Sequence, residues 1–145
     1  MSWGELGVRG LAGQLRQVAS SGDLDGLAVL LAQLIGERAP RRHLFQPVLL
    51  ELIATIVREL QHRVGRRDGA LYTVEVFDDD DCLLEIDAVP PALRAMLRAV
   101  LAALNDDGAG TRFQVGLVTG DPDPLGRLDA VVHVLRWANA LTGGK

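Results

Sequence analysis

Residues 71–104 read LYTVEVFDDDDCLLEIDAVPPALRAMLRAVLAAL, and the fold class turns on how they are read. Val74 and Val76 alternate with Thr73, Glu75 and Phe77; beyond four consecutive aspartates, Cys82, Leu84, Ile86 and Ala88 alternate with Leu83, Glu85 and Asp87. Period two on both sides of a polar turn predicts a β-hairpin over 71–77 and 82–88. Pro90 and Pro91 stop the ladder, and Pro91 suits a first helical turn, where no N–H is missed. Leu93, Met96, Leu97, Val100, Leu101 and Leu104 then recur at helical spacing, so the stretch ends as an amphipathic helix.

Upstream, Leu49, Ile53, Ile56, Leu60 and Val64 form a stripe widened by Leu52 and Val57, with Glu51, Arg58, Glu59 and His62 on the wet side. This is the clearest helix of the chain, ended by Gly65 and Gly69. Before it, Ser21 or Asp23 can cap a helix whose Leu24, Leu27, Leu31, Leu34 and Ile35 share a face, closed by Gly36 and Pro40. Residues 1–20 carry a weaker signal in Leu11, Leu15 and Val18, diluted by Gly4, Gly7, Gly10 and Gly13. Each glycine costs about 1 kcal/mol in a helix interior.

Downstream, residues 105–110 read as a loop. Phe113, Val115 and Leu117 alternate with Gln114, Gly116 and Val118, which predicts a third short strand over 113–118, although six residues suit a short helix nearly as well. The last helix, about 125–141, is apolar on two sides: Leu128, Val131, Val132 and Leu135 on one, Val134, Trp137 and Leu141 on the other. Such width belongs to a helix central in the core or also part of a subunit interface. The expected architecture is a single α+β domain, mostly α, with about five helices around one core and a central hairpin.

A chain of 145 residues fits one domain, and 48% hydrophobic against 23% charged residues places it among folded rather than disordered sequences. The single cysteine, Cys82, forbids an internal disulfide and fits a reducing compartment. There is no basic stretch followed by an apolar run at the N-terminus. The longest apolar stretch, 48–57, is interrupted by Glu51 and falls far short of the ~20 residues of a membrane span. Location in the cytoplasm, away from membranes, is expected.

Charge is segregated. Residues 38–67 hold seven arginines against Glu51 and Glu59, whereas 68–107 hold ten acids against Arg94 and Arg98. Segments of opposite sign pair within one molecule or head to tail with a second copy. Lys145 is the one lysine, and arginine, alanine, glycine and leucine together suggest a high-GC bacterial genome, so codon bias accounts for much of the arginine.

Catalytic signals are sparse. The aspartates 78–81 are consecutive, whereas an EF-hand loop needs acids at alternate positions, a glycine and a terminal glutamate; a solvated turn explains them better than a weak cation site. Cys82 follows them directly, and negative charge disfavours its thiolate, so it reads as a small core residue. His43, His62 and His133 have no metal-ligand spacing, and neither a phosphate-binding loop nor a G-x-S-x-G elbow occurs. No cofactor, metal or catalytic group is expected.

The expected function is a non-enzymatic interaction or scaffold module, with a protein partner or as a homodimer. Val134, Trp137 and Leu141 would supply apolar contact, and the charged segments orientation. An alternative from another class is a small-molecule or anion-binding protein, an enzyme included, using Arg41, Arg42, Arg58, Arg63, Arg66 and Arg67 as clamps. A third, nucleic-acid binding, sits poorly with a pI near 5.3 and only six aromatic residues.

Overall fold

The computed structural model describes residues 3–64, 76–77, 83–85 and 88–142, and for residues 3–6, 64, 76–77 and 84 the backbone alone. Among the described residues six α-helices carry the fold: α1 (Trp3–Ser20), α2 (Leu24–Ile35), α3 (Phe45–Val64), α4 (Pro91–Leu104), α5 (Gly108–Thr119) and α6 (Pro124–Leu141). A short 3-10 turn, Arg42–Leu44, leads into α3.

Aspartates start three of these helices. The Asp23 carboxylate accepts from Gly26 N and that of Asp107 from Gly110 N, both at 2.9 Å, while Asp123 accepts from Leu125 N at 3.0 Å. Each satisfies an amide that the first turn leaves without a partner. The α1–α2 corner is a Schellman turn: Asp23 N donates to Val18 O at 3.1 Å and Gly22 N to Ala19 O. Gly22 has φ 76°, the left-handed conformation that such a turn requires. Pro90 caps α4 and Pro91 occupies its first turn, as the sequence implies.

The apolar stripes converge on one core. Leu15 of α1, Leu34 of α2, Leu49 and Leu52 of α3, Met96 of α4, Val115 of α5 and Val131 and Val134 of α6 are fully enclosed. α3 packs against α1, α4, α5 and α6. α6 packs against all five other helices, which accounts for its two apolar faces within a single chain.

The α+β expectation is overturned: among the described residues helices alone build the core, and no sheet takes part in it. From the expected hairpin the described residues pair only Val76 with Leu84 and Phe77 with Leu83, antiparallel, and Leu83 is 60% exposed. The remainder of 71–77 and 82–88 lies outside the described residues, as do the aspartates 78–81, Cys82, Arg66 and Arg67. The helices already bury one another's apolar faces, so the core needs no sheet to close it.

The third strand is also overturned, because 113–118 falls inside α5. Helical winding divides its apolar residues. Val115 and Val118, three apart, face the core with Thr111, whereas Phe113 and Leu117, four apart, face outward.

Candidate functional site

Two exposed apolar features stand out on the helical surface. The first is an open groove between α2 and the start of α6, with a volume of about 460 Å³. Leu24, Leu27, Leu31 and Ile35 line one wall and Leu125 and Leu128 the other. Leu31 and Ile35 are buried at its base, whereas Leu24 is 75% and Leu125 67% exposed. Both exposed leucines sit in a first helical turn beside a capping aspartate. Asp25 on α2 and Asp129 on α6 are exposed beside the two walls.

The second feature is the outer face of α5, where Phe113 is 64% and Leu117 53% exposed. Residues four apart stand one above the other on a helix. Arg112 lines a separate cleft with Leu50, Ile53 and Asp106, its guanidinium turned back over Gly108, and Arg98 of α4 lines a small cleft with Leu117, Gln114 and Asp121. Arg112, Asp25 and Asp129 form no ion pair with the described residues.

Val134, Trp137 and Leu141 lie elsewhere. Val134 is fully enclosed in the monomer, and Trp137 and Leu141 are half-buried against the core. The Trp137 ring meets that of His133 edge-on, with centroids 6.2 Å apart. The three therefore form no exposed apolar patch.

The arginines are spread along the molecule, and several are occupied by the fold. Arg42 donates to the carbonyl of Thr119 and Arg63 to that of Leu141, the last residues of α5 and α6. Those two side chains flank α3, whose length holds their backbones ~30 Å apart. Arg58 donates to Thr55 Oγ1 at 3.2 Å and lies 3.9 Å from Glu51, and Arg41 is exposed. Arg42 also lies over the Phe45 ring, 5.4 Å from its centroid. Partial burial and the nearby Arg127 cation hold the Arg42 pKa below the usual arginine value.

One arginine is missed by reading the sequence as a site and is wholly structural. Arg127 is 2% exposed and donates from Nε (3.0 Å) and Nη2 (2.7 Å) to Ile35 O, and from Nη1 to Asp121 O. Its phase gives it away: Arg127, Val131, Val134 and Ala138 share one face of α6. Together Arg127, Arg42 and Arg63 satisfy the final carbonyls of α2, α5 and α6, which would otherwise lack donors.

A polar cleft of about 560 Å³ runs between α1 and the end of α6, lined by Gly13, Arg16, Gln17, Ser20, Asn139 and Thr142. Arg16 Nη2 donates to Thr142 Oγ1 at 2.7 Å, and its Nε is enclosed without a partner. Asn139 Nδ2 donates to Arg16 O at 3.1 Å. These contacts tie α1 to α6.

Among the described residues, no three His, Cys, Asp or Glu side chains gather where they could hold a metal ion. No described helix is long and apolar enough to cross a membrane. Compared with protein-family models, curated proteins and solved structures, the chain matches none of them.

Proposed function

We propose that this domain is a non-enzymatic interaction module that receives its partner in the α2–α6 groove. One observation carries the reading: Leu24 and Leu125 stand largely exposed above a trough already floored by Leu31 and Ile35. Fully burying such a side chain is worth about 1.5–3 kcal/mol. Leaving two of them wet on facing walls makes sense where another surface covers them. The single cysteine supports a reducing compartment, and the module is placed in the cytoplasm on that ground.

The arginine-clamp alternative has less geometric support, since Arg42 and Arg63 are spent on helix ends at opposite ends of α3. The test of the groove uses fluorescein-labelled amphipathic helical peptides in acidic, neutral and basic versions, measured by fluorescence polarisation, with self-association followed in parallel. Binding of any one of them, or self-association, that is lost on Leu125→Asp supports the reading. Indifference of every peptide and of the oligomeric state to Leu125→Asp rejects it.

A further inference from the structure

The polar cleft between α1 and the end of α6 holds a cation without a counter-charge. At about 560 Å³ it has the size of a small-molecule site. Among the described residues that line it, Arg16 is the one charged group, and there is no carboxylate and no aromatic ring. The Arg16 side chain makes a single hydrogen bond to the described residues, from Nη2 to Thr142 Oγ1, and no ion pair. Its Nε is enclosed without an acceptor. A buried N–H of this kind costs free energy until an acceptor reaches it. Thr142 thus fixes the guanidinium while most of its donors stay unused.

Two further arginines stand one helical turn from the lining. Arg9 precedes Gly13 by four residues on α1, and Arg136 precedes Ala140 by four on α6. Residues at that spacing share a helix face. Both arginines are exposed, and neither forms an ion pair with the described residues. The acids of the same two helices lie more than two turns away, Glu5 eight positions before Gly13 and Asp129 ten before Asn139. The negative end of α6 also meets the cleft, but Arg63 donates to the Leu141 carbonyl and offsets it. A concave surface with cations in it and on both walls concentrates negative ligands. We propose that the α1–α6 cleft binds a small oxyanion-bearing molecule, a phosphate or a polycarboxylate, with Arg16 as the anchoring fork and Arg9 and Arg136 drawing the ligand in. Guanidinium forks match such oxygens with paired N–H bonds. The site shares no lining residue with the α2–α6 groove and stands independently of it.

Heteronuclear NMR of the whole chain at low ionic strength, titrated with inorganic phosphate, pyrophosphate and citrate, tests the proposal. At least one probe should shift the Arg16 Nε–H signal and the Gly13 and Asn139 amides in a saturable way. The loss of one Nε–H signal in Arg16→Lys identifies that of Arg16. Gly13→Leu should fill the cleft without disturbing the fold, because a Cβ added at Gly13 meets nothing within 4 Å. Binding should weaken there by about tenfold or more. Arg9→Gln and Arg136→Gln, both at exposed positions, should each weaken it by about threefold and reduce its dependence on salt. A thermal melt by circular dichroism checks that each variant folds.

Tighter binding of pyrophosphate than of citrate assigns a phosphorylated ligand, and the reverse order assigns a polycarboxylate; either upholds the site. Binding that survives Gly13→Leu overturns it. So do shifts spread equally over the exposed Arg38 and Arg41, which report only an ion atmosphere about surface arginines. The absence of any saturable shift at millimolar concentrations of all three probes overturns it as well.

Discussion

Arg127 and Ile35, 92 positions apart, are joined by two hydrogen bonds from one buried guanidinium to one carbonyl oxygen. The same side chain reaches the Asp121 carbonyl at the turn before α6. A single planar fork thus closes the end of α2 and the α5–α6 connection together. Arg127→Met leaves the buried Ile35 carbonyl and the partly buried Asp121 carbonyl without this donor, the buried one worth about 1–3 kcal/mol, and we expect a loss of about 2–4 kcal/mol in urea denaturation. Arg127→Lys should recover less than half of that, because an ammonium cannot reproduce the fork. Full recovery by lysine would show that charge alone is required.

Arg42 and Arg127 repel while each holds a helix end. Removing either one relieves the repulsion, so the single losses understate the two caps. The Arg42→Met/Arg127→Met double variant should therefore be less stable than the sum of the singles, by a few tenths of a kcal/mol after solvent screening. The excess should shrink with added salt. The lowered Arg42 pKa means that the unfolded chain binds this proton more tightly, so its contribution to stability rises with pH, and only in strongly alkaline solution. Exact additivity at low salt would show that the two cations do not interact.

Asp107→Ala should cost about 1 kcal/mol and Asp107→Asn much less, since either oxygen-bearing side chain can accept from Gly110 N. Gly22→Ala should cost a similar ~1 kcal/mol through its positive φ. Thermal melts read both, and a neutral Gly22→Ala would show that the α1–α2 corner adopts another turn.

Serine substitutions along α5 separate helix from strand. Phe113→Ser and Leu117→Ser should leave monomer stability within about 0.5 kcal/mol, whereas Val115→Ser should cost about 2 kcal/mol or more. In a strand all three would share one face and behave alike. Equal losses at the three positions would contradict the helical assignment.

Trp137→Ala should destabilise the fold by about 2 kcal/mol, because its half-buried ring packs on the core, yet leave the mass in solution unchanged. A changed mass at unchanged stability would return Trp137 to an interface role.

Five helices were legible from their periodic stripes, α1 least clearly because three apolar residues are diluted by glycines. The stripe of Leu49, Ile53, Ile56 and Leu60 in α3 and that of Met96, Val100 and Leu104 in α4 are core-facing as read. α5 escaped because its period is ambiguous: Phe113, Val115 and Leu117 satisfy a strand, and Val115 with Val118 satisfies a helix. Local spacing cannot choose between them over six residues, but the face that α4 and α3 present to Val115 can. The candidate site was partly legible: Leu24 and Leu27 share one helical face with Leu31 and Ile35 in the sequence, but the facing wall of Leu125 and Leu128 is set by tertiary packing. Helical phase shows which residues share a face and says nothing of how far a neighbouring helix covers it.

By itself, then, the sequence determined the helices that possess an unambiguous apolar stripe, since 3.6-residue periodicity is a local property. It also determined that charge is segregated along the chain and that the last helix is too apolar for an ordinary surface. Tertiary structure decided the rest. It made α6 the central helix, turned Arg127 inward onto the end of α2, and set Arg42 and Arg63 on the ends of α5 and α6. It also left the walls around Leu24 and Leu125 uncovered. These outcomes depend on which faces meet across the fold, and burial and hydrogen-bond satisfaction between distant residues settle that, not spacing along the chain.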